Sequence, residues 1–164
     1  MTATPKKTSA PILGVKSTMN DEWQMNLRRL FERGVICQPT SELVTKTSIG
    51  YHRMTFKKMQ QRATQIASAL ATELNIKPGD RIGTLMWNNG RHMILYYAVP
   101  CMGAVLHALN MRLHPTELTY IIQHAKDQVI FVDANLLPIL EQLPQEALRF
   151  VRKIIVCGPN EAVL

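Results

Sequence analysis

Polar and apolar positions change period several times along this chain, and each change marks an element. From Phe56, the apolar residues Met59, Ala63, Ile66, Ala67, Leu70 and Leu74 recur mostly at steps of three and four. Lys57, Lys58, Gln61, Arg62 and Gln65 fall opposite them. That period predicts an amphipathic helix with Thr55 as its N-cap. Asn75-Ile76-Lys77-Pro78-Gly79-Asp80 ends it with breakers. Upstream, Leu43–Thr47 and Tyr51–Thr55 alternate around Ile49–Gly50 and predict a β-hairpin. Before that, Asn20 or Asp21 is the expected cap of a short helix with Trp23, Leu27, Leu30 and Phe31 on one face. Residues 1–18, with Pro5 and Pro11 among scattered Ser and Thr, are expected to be a flexible leader to a domain over 19–164.

After Asp80 the pattern settles into alternation. Short apolar, β-branched runs near 81–86, 104–109, 128–133 and 153–157 predict strands, and helices are expected near 90–102, 115–126 and 134–143. Strands joined through helices specify an α/β fold with a mainly parallel sheet and flanking helices, preceded by a helix and a β-hairpin. His114 and Pro115 open the helix near 115, where proline suits the first helical position and Glu117 suits the helix dipole. The apolar run Met93–Leu109 is too short for a comfortable membrane span and is interrupted by Pro100 and Gly103. It reads as a buried helix running into a buried strand, and no transmembrane segment is expected.

Composition narrows the class. With 164 residues, 46% hydrophobic and 19% charged, the chain can bury a sizeable core. The net charge of +7 is spread over short groups such as Arg28–Arg29–Arg33, Lys57–Lys58–Arg62 and Arg149–Arg152–Lys153. Dispersal of this kind predicts solvated helix faces and no nucleic-acid partner. Cys37, Cys101 and Cys157 are odd in number and far apart, which supports neither a disulfide framework nor a zinc site. Cys101 and Cys157 are expected to be buried small hydrophobes. The N-terminus has no apolar stretch long enough for a signal peptide, and a cytoplasmic location is expected.

A parallel sheet raises nucleotide binding, and the glycines test that idea. They stand at 14, 34, 50, 79, 83, 90, 103 and 158, never closer than four residues, so both G-x-G-x-x-G and G-x-x-x-x-G-K-[ST] are absent. Without converging backbone N–H groups there is no phosphate cradle. No catalytic residue, cofactor-binding residue or metal ligand is therefore assigned, and this segment alone is expected to bind no cofactor. What remains are the loops at strand carboxyl ends, where open α/β sheets take ligands. They offer Trp87, Asn88 and Arg91 after the first strand of the alternating part, with Asn89, Gly90 and His92 between and beside them. Asn110 and Arg112 follow the second. The competing reading makes Asn88 and His114 helix caps and leaves Arg91 and Arg112 solvated. Asp133 is expected to cap the helix that follows it. No G-x-S-x-G elbow supports a hydrolase.

Several of these pieces, in this order and spacing, carry a resemblance. They are Thr55-Phe56, Lys77-Pro78-Gly79-Asp80-Arg81, Trp87-Asn88, Tyr97-Ala98-Val99-Pro100 and Met102-Gly103-Ala104-Val105-Leu106-His107. Asn110 with Arg112-Leu113, Tyr120-Ile121 with His124-Ala125, and Phe131-Val132-Asp133 complete the set. From about Trp23 to Leu143 the chain resembles the acyl-CoA synthetases of the AMP-forming adenylate ligase superfamily, and most of all the fatty-acid members. Such enzymes make an acyl-adenylate from ATP and a carboxylic acid, then transfer the acyl group to coenzyme A. The resemblance implies ATP, Mg and coenzyme A as cofactors and a fatty acid as substrate for a complete enzyme. It also implies that this chain is the N-terminal part of the AMP-binding domain, truncated before the phosphate loop. The family's Ser/Thr/Gly-rich phosphate loop, its Tyr-Gly-x-Thr-Glu segment, its ribose-binding Asp and its C-terminal lysine have no matching positions here. Inactivity of this segment alone is the resulting expectation. The alternative is a non-catalytic dimerisation or regulatory module, since fatty-acid members can form a homodimer through this N-terminal region, with Trp23, Leu27 and Phe31 as contributors. His114 replaces the usual Ser before Pro, and Met111 stands where Pro is common.

Overall fold

The computed structural model describes residues 26–158. A helix over Leu27–Cys37 (α1) precedes strands Glu42–Thr47 (β1) and Gly50–Thr55 (β2), followed by helix Phe56–Thr72 (α2). From Arg81, strands and helices alternate: β3 (Arg81–Leu85), α3 (Gly90–Cys101), β4 (Val105–Ala108), α4 (Pro115–Ala125), β5 (Val129–Asp133), α5 (Leu137–Glu141) and β6 (Lys153–Cys157). The expected leader, residues 1–18, and Asn20, Asp21 and Trp23 of the expected first helix lie outside the described residues.

β3 to β6 form one parallel sheet in the order β4-β3-β5-β6. Helical crossovers return each strand in the same direction, which is why the pairing is parallel. All five residues of β5 are buried, as a strand covered on both faces requires. On one face, Leu70 of α2 with Leu95 and Val99 of α3 belong to the core that holds Ile82, Val129 and Phe131. On the other, Leu118 and Ile122 of α4 and Leu140 of α5 belong to the core that holds Leu85, Ile130 and Val132. Successive strand residues thus serve opposite cores, and each fully buried aliphatic side chain contributes roughly 1.5–3 kcal/mol. The β1–β2 hairpin is a separate antiparallel pair, anchored by Met54 against Met59, Ala63, Ile94 and Ala98.

Local chemistry sets the ends of these elements. Thr55 caps α2 by accepting from the Lys58 amide at 3.2 Å. α3 is apolar on nearly every side, as a helix between the hairpin, α1, α2 and the sheet must be. It ends at Cys101, one residue past Pro100, and Gly103 turns the chain into β4 at φ +88°, where a Cβ would press on Pro78 at 3.2 Å.

Three expectations need correction. The described part of α1 begins at Leu27, capped by Asn26, whose side chain accepts from the Arg29 amide at 3.0 Å. Its packed face runs through Phe31, stacked on Tyr97 at 4.1 Å, and buried Val35, while Leu30 is 56% exposed. The expected helix over 134–143 is broken into a 3-10 turn at Ala134–Leu136 and the short α5. Leu137 keeps helical backbone, but Pro138 has no amide to donate back to the Ala134 carbonyl, so the 3-10 turn does not continue as one α-helix and Pro138 sits in the first turn of a new one. Cys101 and Cys157 are half-buried rather than enclosed.

Candidate functional site

Chain order in the sheet reverses between β3 and β5, and a topological switch point of this kind is where open α/β sheets bind ligands. Trp87, Asn88 and Arg91 lie in the loop and first helical turn that leave β3 at this point. Asp133, the last residue of β5, faces them. Its Oδ2 accepts from the Trp87 amide at 2.9 Å and from Asn89 Nδ2 at 3.0 Å. Asn89 Oδ1 in turn accepts from the His92 amide at 3.0 Å and so caps α3. The Gly90 amide donates to Thr45 Oγ1 of the hairpin at 2.9 Å.

His92 closes the network from beneath. Nδ1 lies 3.2 Å from the Trp87 carbonyl and Nε2 lies 3.0 Å from Thr84 Oγ1. A carbonyl only accepts, so Nδ1 carries the proton and Nε2 accepts from the threonine hydroxyl. Burial pushes the imidazole pKa down, against smaller opposing effects of the Trp87 carbonyl and Asp133. Thr84, Asn89, His92 and Asp133 are all buried, and among the described residues no buried side-chain polar atom lacks a partner. The switch point is thus tied together by the chain's own hydrogen bonds.

The candidate residues therefore divide. Trp87 is half-buried, with its indole N–H on Asn135 Oδ1 at 3.2 Å. Asn88 is exposed and is not the cap; Asn89 takes that role because its side chain, one residue later, meets the His92 amide. Arg91 is half-buried and reaches the Gly158 carbonyl at 3.4 Å. Asn110 and Arg112 form a separate local turn, in which Asn110 Oδ1 accepts from the Arg112 amide at 3.0 Å. His114 does cap α4: its Nδ1 accepts from the Thr116 amide at 3.4 Å while Glu117 accepts from the His114 amide at 3.2 Å. Asp133 does not cap the turn after it, because both bonds to its Oδ2 come from the β3–α3 loop. Sequence reasoning missed Thr84, whose only signal was a hydroxyl in an otherwise apolar strand, a position that calls for a partner once buried.

A second polar cluster sits at the opposite, amino-terminal edge. The Asp127 carboxylate is 0% exposed and pairs with His107 Nδ1 at 2.9 Å. Gly83 leaves room for it, since a Cβ there would lie 3.2 Å from Asp127 Oδ2 and 3.0 Å from Ile130 Cγ1. Arg81 Nε donates to the Ala125 carbonyl at 2.6 Å, and Arg152 donates to the Leu74 carbonyl at 3.1 Å. These cations stitch loops to helix ends. Among the described residues no three His, Cys, Asp or Glu side chains converge as a metal site would need. Burial, the largest effect on it, pushes the Cys101 thiol pKa up, which disfavours a thiolate nucleophile. A triphosphate needs several outward-facing amides, and here the buried polar side chains are engaged with one another. Among the described residues, the switch-point side chains Asn89, His92 and Asp133 are committed to one another and to the backbone.

Residues 31–162 match the family model described as AMP-binding enzyme. The chain is 42% identical over 141 residues to a long-chain-fatty-acid–CoA ligase of Thermus thermophilus, covering 85% of this chain and 26% of that protein. It is 40% identical over 131 residues to a 3-methylmercaptopropionyl-CoA ligase of Ruegeria lacuscaerulensis, covering 79% and 23%. Among solved structures, the N-terminal domain of FACL13 from Mycobacterium tuberculosis matches with a TM-score of 0.71 at 25% identity, over 82% of this chain and 34% of that one. Coronafacic acid ligase from Pectobacterium brasiliense matches with a TM-score of 0.71 at 27% identity, over 81% and 26%. The chain spans about a quarter of the length of the curated relatives it matches.

Proposed function

This chain belongs to the family of AMP-binding enzymes, and from that premise we infer that it supplies the N-terminal part of an ATP-dependent fatty-acid–CoA ligase. Residues 19–164 are, in this reading, the opening of the adenylate-forming domain. The observation that carries it is the 42% identity to a long-chain-fatty-acid–CoA ligase across residues that fold as a parallel α/β unit. ATP, Mg and the acid would be engaged by residues other than those described, because the switch-point groups Asp133, Asn89 and His92 are committed to one another. Their role is architectural: they fix the β3–α3 loop against β5. A cytoplasmic location belongs to the same reading.

The reading has two measurable arms. Purified 1–164 incubated with ATP, Mg and a fatty acid should release no pyrophosphate above a blank, since adenylation depends on orienting and neutralising the triphosphate. The same residues exchanged for the matching segment of the Thermus thermophilus relative should give fatty-acid-dependent pyrophosphate release. Release by 1–164 alone, or a folded but inactive exchange protein, overturns the proposal. A second reading, a dimerisation or regulatory module, draws on Leu30 and Ile36 of α1, which are 56% and 77% exposed.

A further inference from the structure

Little apolar burial holds β4 to the sheet. Val105 and Ala108 are exposed, Leu106 and His107 are half-buried, and no residue of this strand is fully buried. Four register pairs join it to β3, its one neighbour among the described strands. Few buried contacts give a segment a low free energy of local opening. One side chain of β4 reaches further. His107 stands in register with Gly83 of β3, yet its Nδ1 lies 2.9 Å and 3.1 Å from the two carboxylate oxygens of Asp127, just before β5. β3 runs between β4 and β5, so this contact spans a whole strand. It passes over Gly83, where a Cβ would lie 3.2 Å from Asp127 Oδ2. A carboxylate only accepts, so Nδ1 carries the proton. Asp127 is 0% exposed, and among the described residues no other side chain bonds its carboxylate. Arg81 at the same edge donates instead to the Gly79, Ala125 and Lys126 carbonyls.

We infer that the His107–Asp127 pair is a latch that controls the opening of β4: a weakly anchored edge strand is fastened across β3 to a buried carboxylate. A hydrogen bond to a buried charge outweighs a neutral one, so this single contact supplies the hold that the strand's own burial does not. While the pair holds, β4 covers the edge of β3. When it breaks, β4 leaves the sheet while β3, β5 and β6 stay paired, because Ile82, Leu85, Val129, Ile130, Phe131 and Val132 carry both cores. Opening frees the Asp80 and Thr84 carbonyls, which accept from the Val105 and Leu109 amides at 2.8 Å and 2.9 Å while β4 is docked. A strand edge with free carbonyls can take another strand in place of β4. The latch is a property of this sheet and stands apart from the ligase reading.

Native-state hydrogen exchange of the 164-residue chain, followed by NMR at a fixed pH and in low concentrations of urea, tests the latch. In wild type the Val105 and Leu109 amides should exchange faster than the amides of β5 and respond less to urea, because the opening exposes only one strand. His107→Ala should speed exchange at Val105 and Leu109 by roughly ten- to a hundredfold, the range for losing a hydrogen bond to a charged group. His107→Gln keeps an N–H that can donate to Asp127 and should restore most of the lost protection. Val105 and Leu109 exchanging together with β5 in wild type, at one rate and one urea dependence, overturns the latch, and this arm needs no variant. Unchanged exchange at these two amides in His107→Ala also overturns it. So does exchange as fast in His107→Gln as in His107→Ala, which would make ring packing, not the donated bond, the hold on β4. None of these readouts depends on pyrophosphate release, so the latch and the ligase reading fail separately.

Discussion

Asp133 accepts two hydrogen bonds through one oxygen at a position 4% exposed. Replacing it with Ala leaves the Trp87 amide and the Asn89 side chain without an acceptor where water cannot substitute. Hydrogen bonds to a buried charge weigh more than neutral ones, and a loss of about 3 kcal/mol in urea unfolding is expected for Asp133→Ala. Asp133→Asn, which keeps an acceptor but not the charge, should lose less. His92 gives a pH signature. Its pKa is depressed below the ordinary 6.5 in the folded chain, so the unfolded chain binds the proton more readily. Stability from this group is full above 6.5, falls as pH drops through the window below that value, and levels off beneath the folded pKa. His92→Gln should be less stable at neutral pH yet lose less on acidification, a difference that urea midpoints at two pH values will detect. Asn89 and His92 were legible as part of a candidate loop. Their partners Thr84 and Asp133 were not, because burial and cross-strand proximity arise only once β3 and β5 pair.

At the scale of elements, periodicity carried most of the information. α2, α3, α4 and all four sheet strands stand within a few residues of where three- and four-residue steps and short β-branched runs place them. Such patterns are legible because burial on one side or two repeats along the chain. The failures have a different physical origin. Pro138 breaks the helix after β5, although apolar residues continue at helical spacing through Leu143. In α1, spacing alone could not choose between Leu30 and Val35, because Tyr97 of α3 decides which face is covered. The α4 cap tests how much an unusual residue can do. His114 accepts at 3.4 Å, a long bond, while Glu117 completes the reciprocal contact at 3.2 Å. His114→Ala should cost about 1 kcal/mol in thermal or urea unfolding, and His114→Ser should be neutral or stabilising, since a hydroxyl is the better N-cap. An alanine variant as stable as wild type would show that Glu117 and Pro115 suffice to start the helix.

The whole molecule sets two opposing forces against each other. A sheet in the order β4-β3-β5-β6 has β4 and β6 at its edges, and no other described strand pairs with either. Val105 on the first and Val156 on the second are 47% and 48% exposed, and Ile36 on α1 is 77% exposed. Unpaired edges with apolar side chains are templates for pairing with another chain, and exposed apolar patches mark interfaces. Opposing them is a net charge of +7, whose mutual repulsion disfavours contact between copies. The two forces differ in range. At physiological ionic strength charge is screened beyond about 8 Å, whereas apolar contact acts at the surface itself and survives salt. The 164-residue chain should therefore sediment as dimers or larger species at micromolar concentration, more so at about 0.15 M salt, where the Debye length is about 8 Å, than at about 0.01 M, where it is about 30 Å. It should also bind a hydrophobic dye. Val156→Lys on the β6 edge, an exposed position, should shift the distribution toward monomer without lowering the unfolding free energy by more than about 0.5 kcal/mol. A dye-free monomer at both salt concentrations would mean that the charge and the short edges protect the chain unaided, and would favour an independent module over one part of a larger ligase.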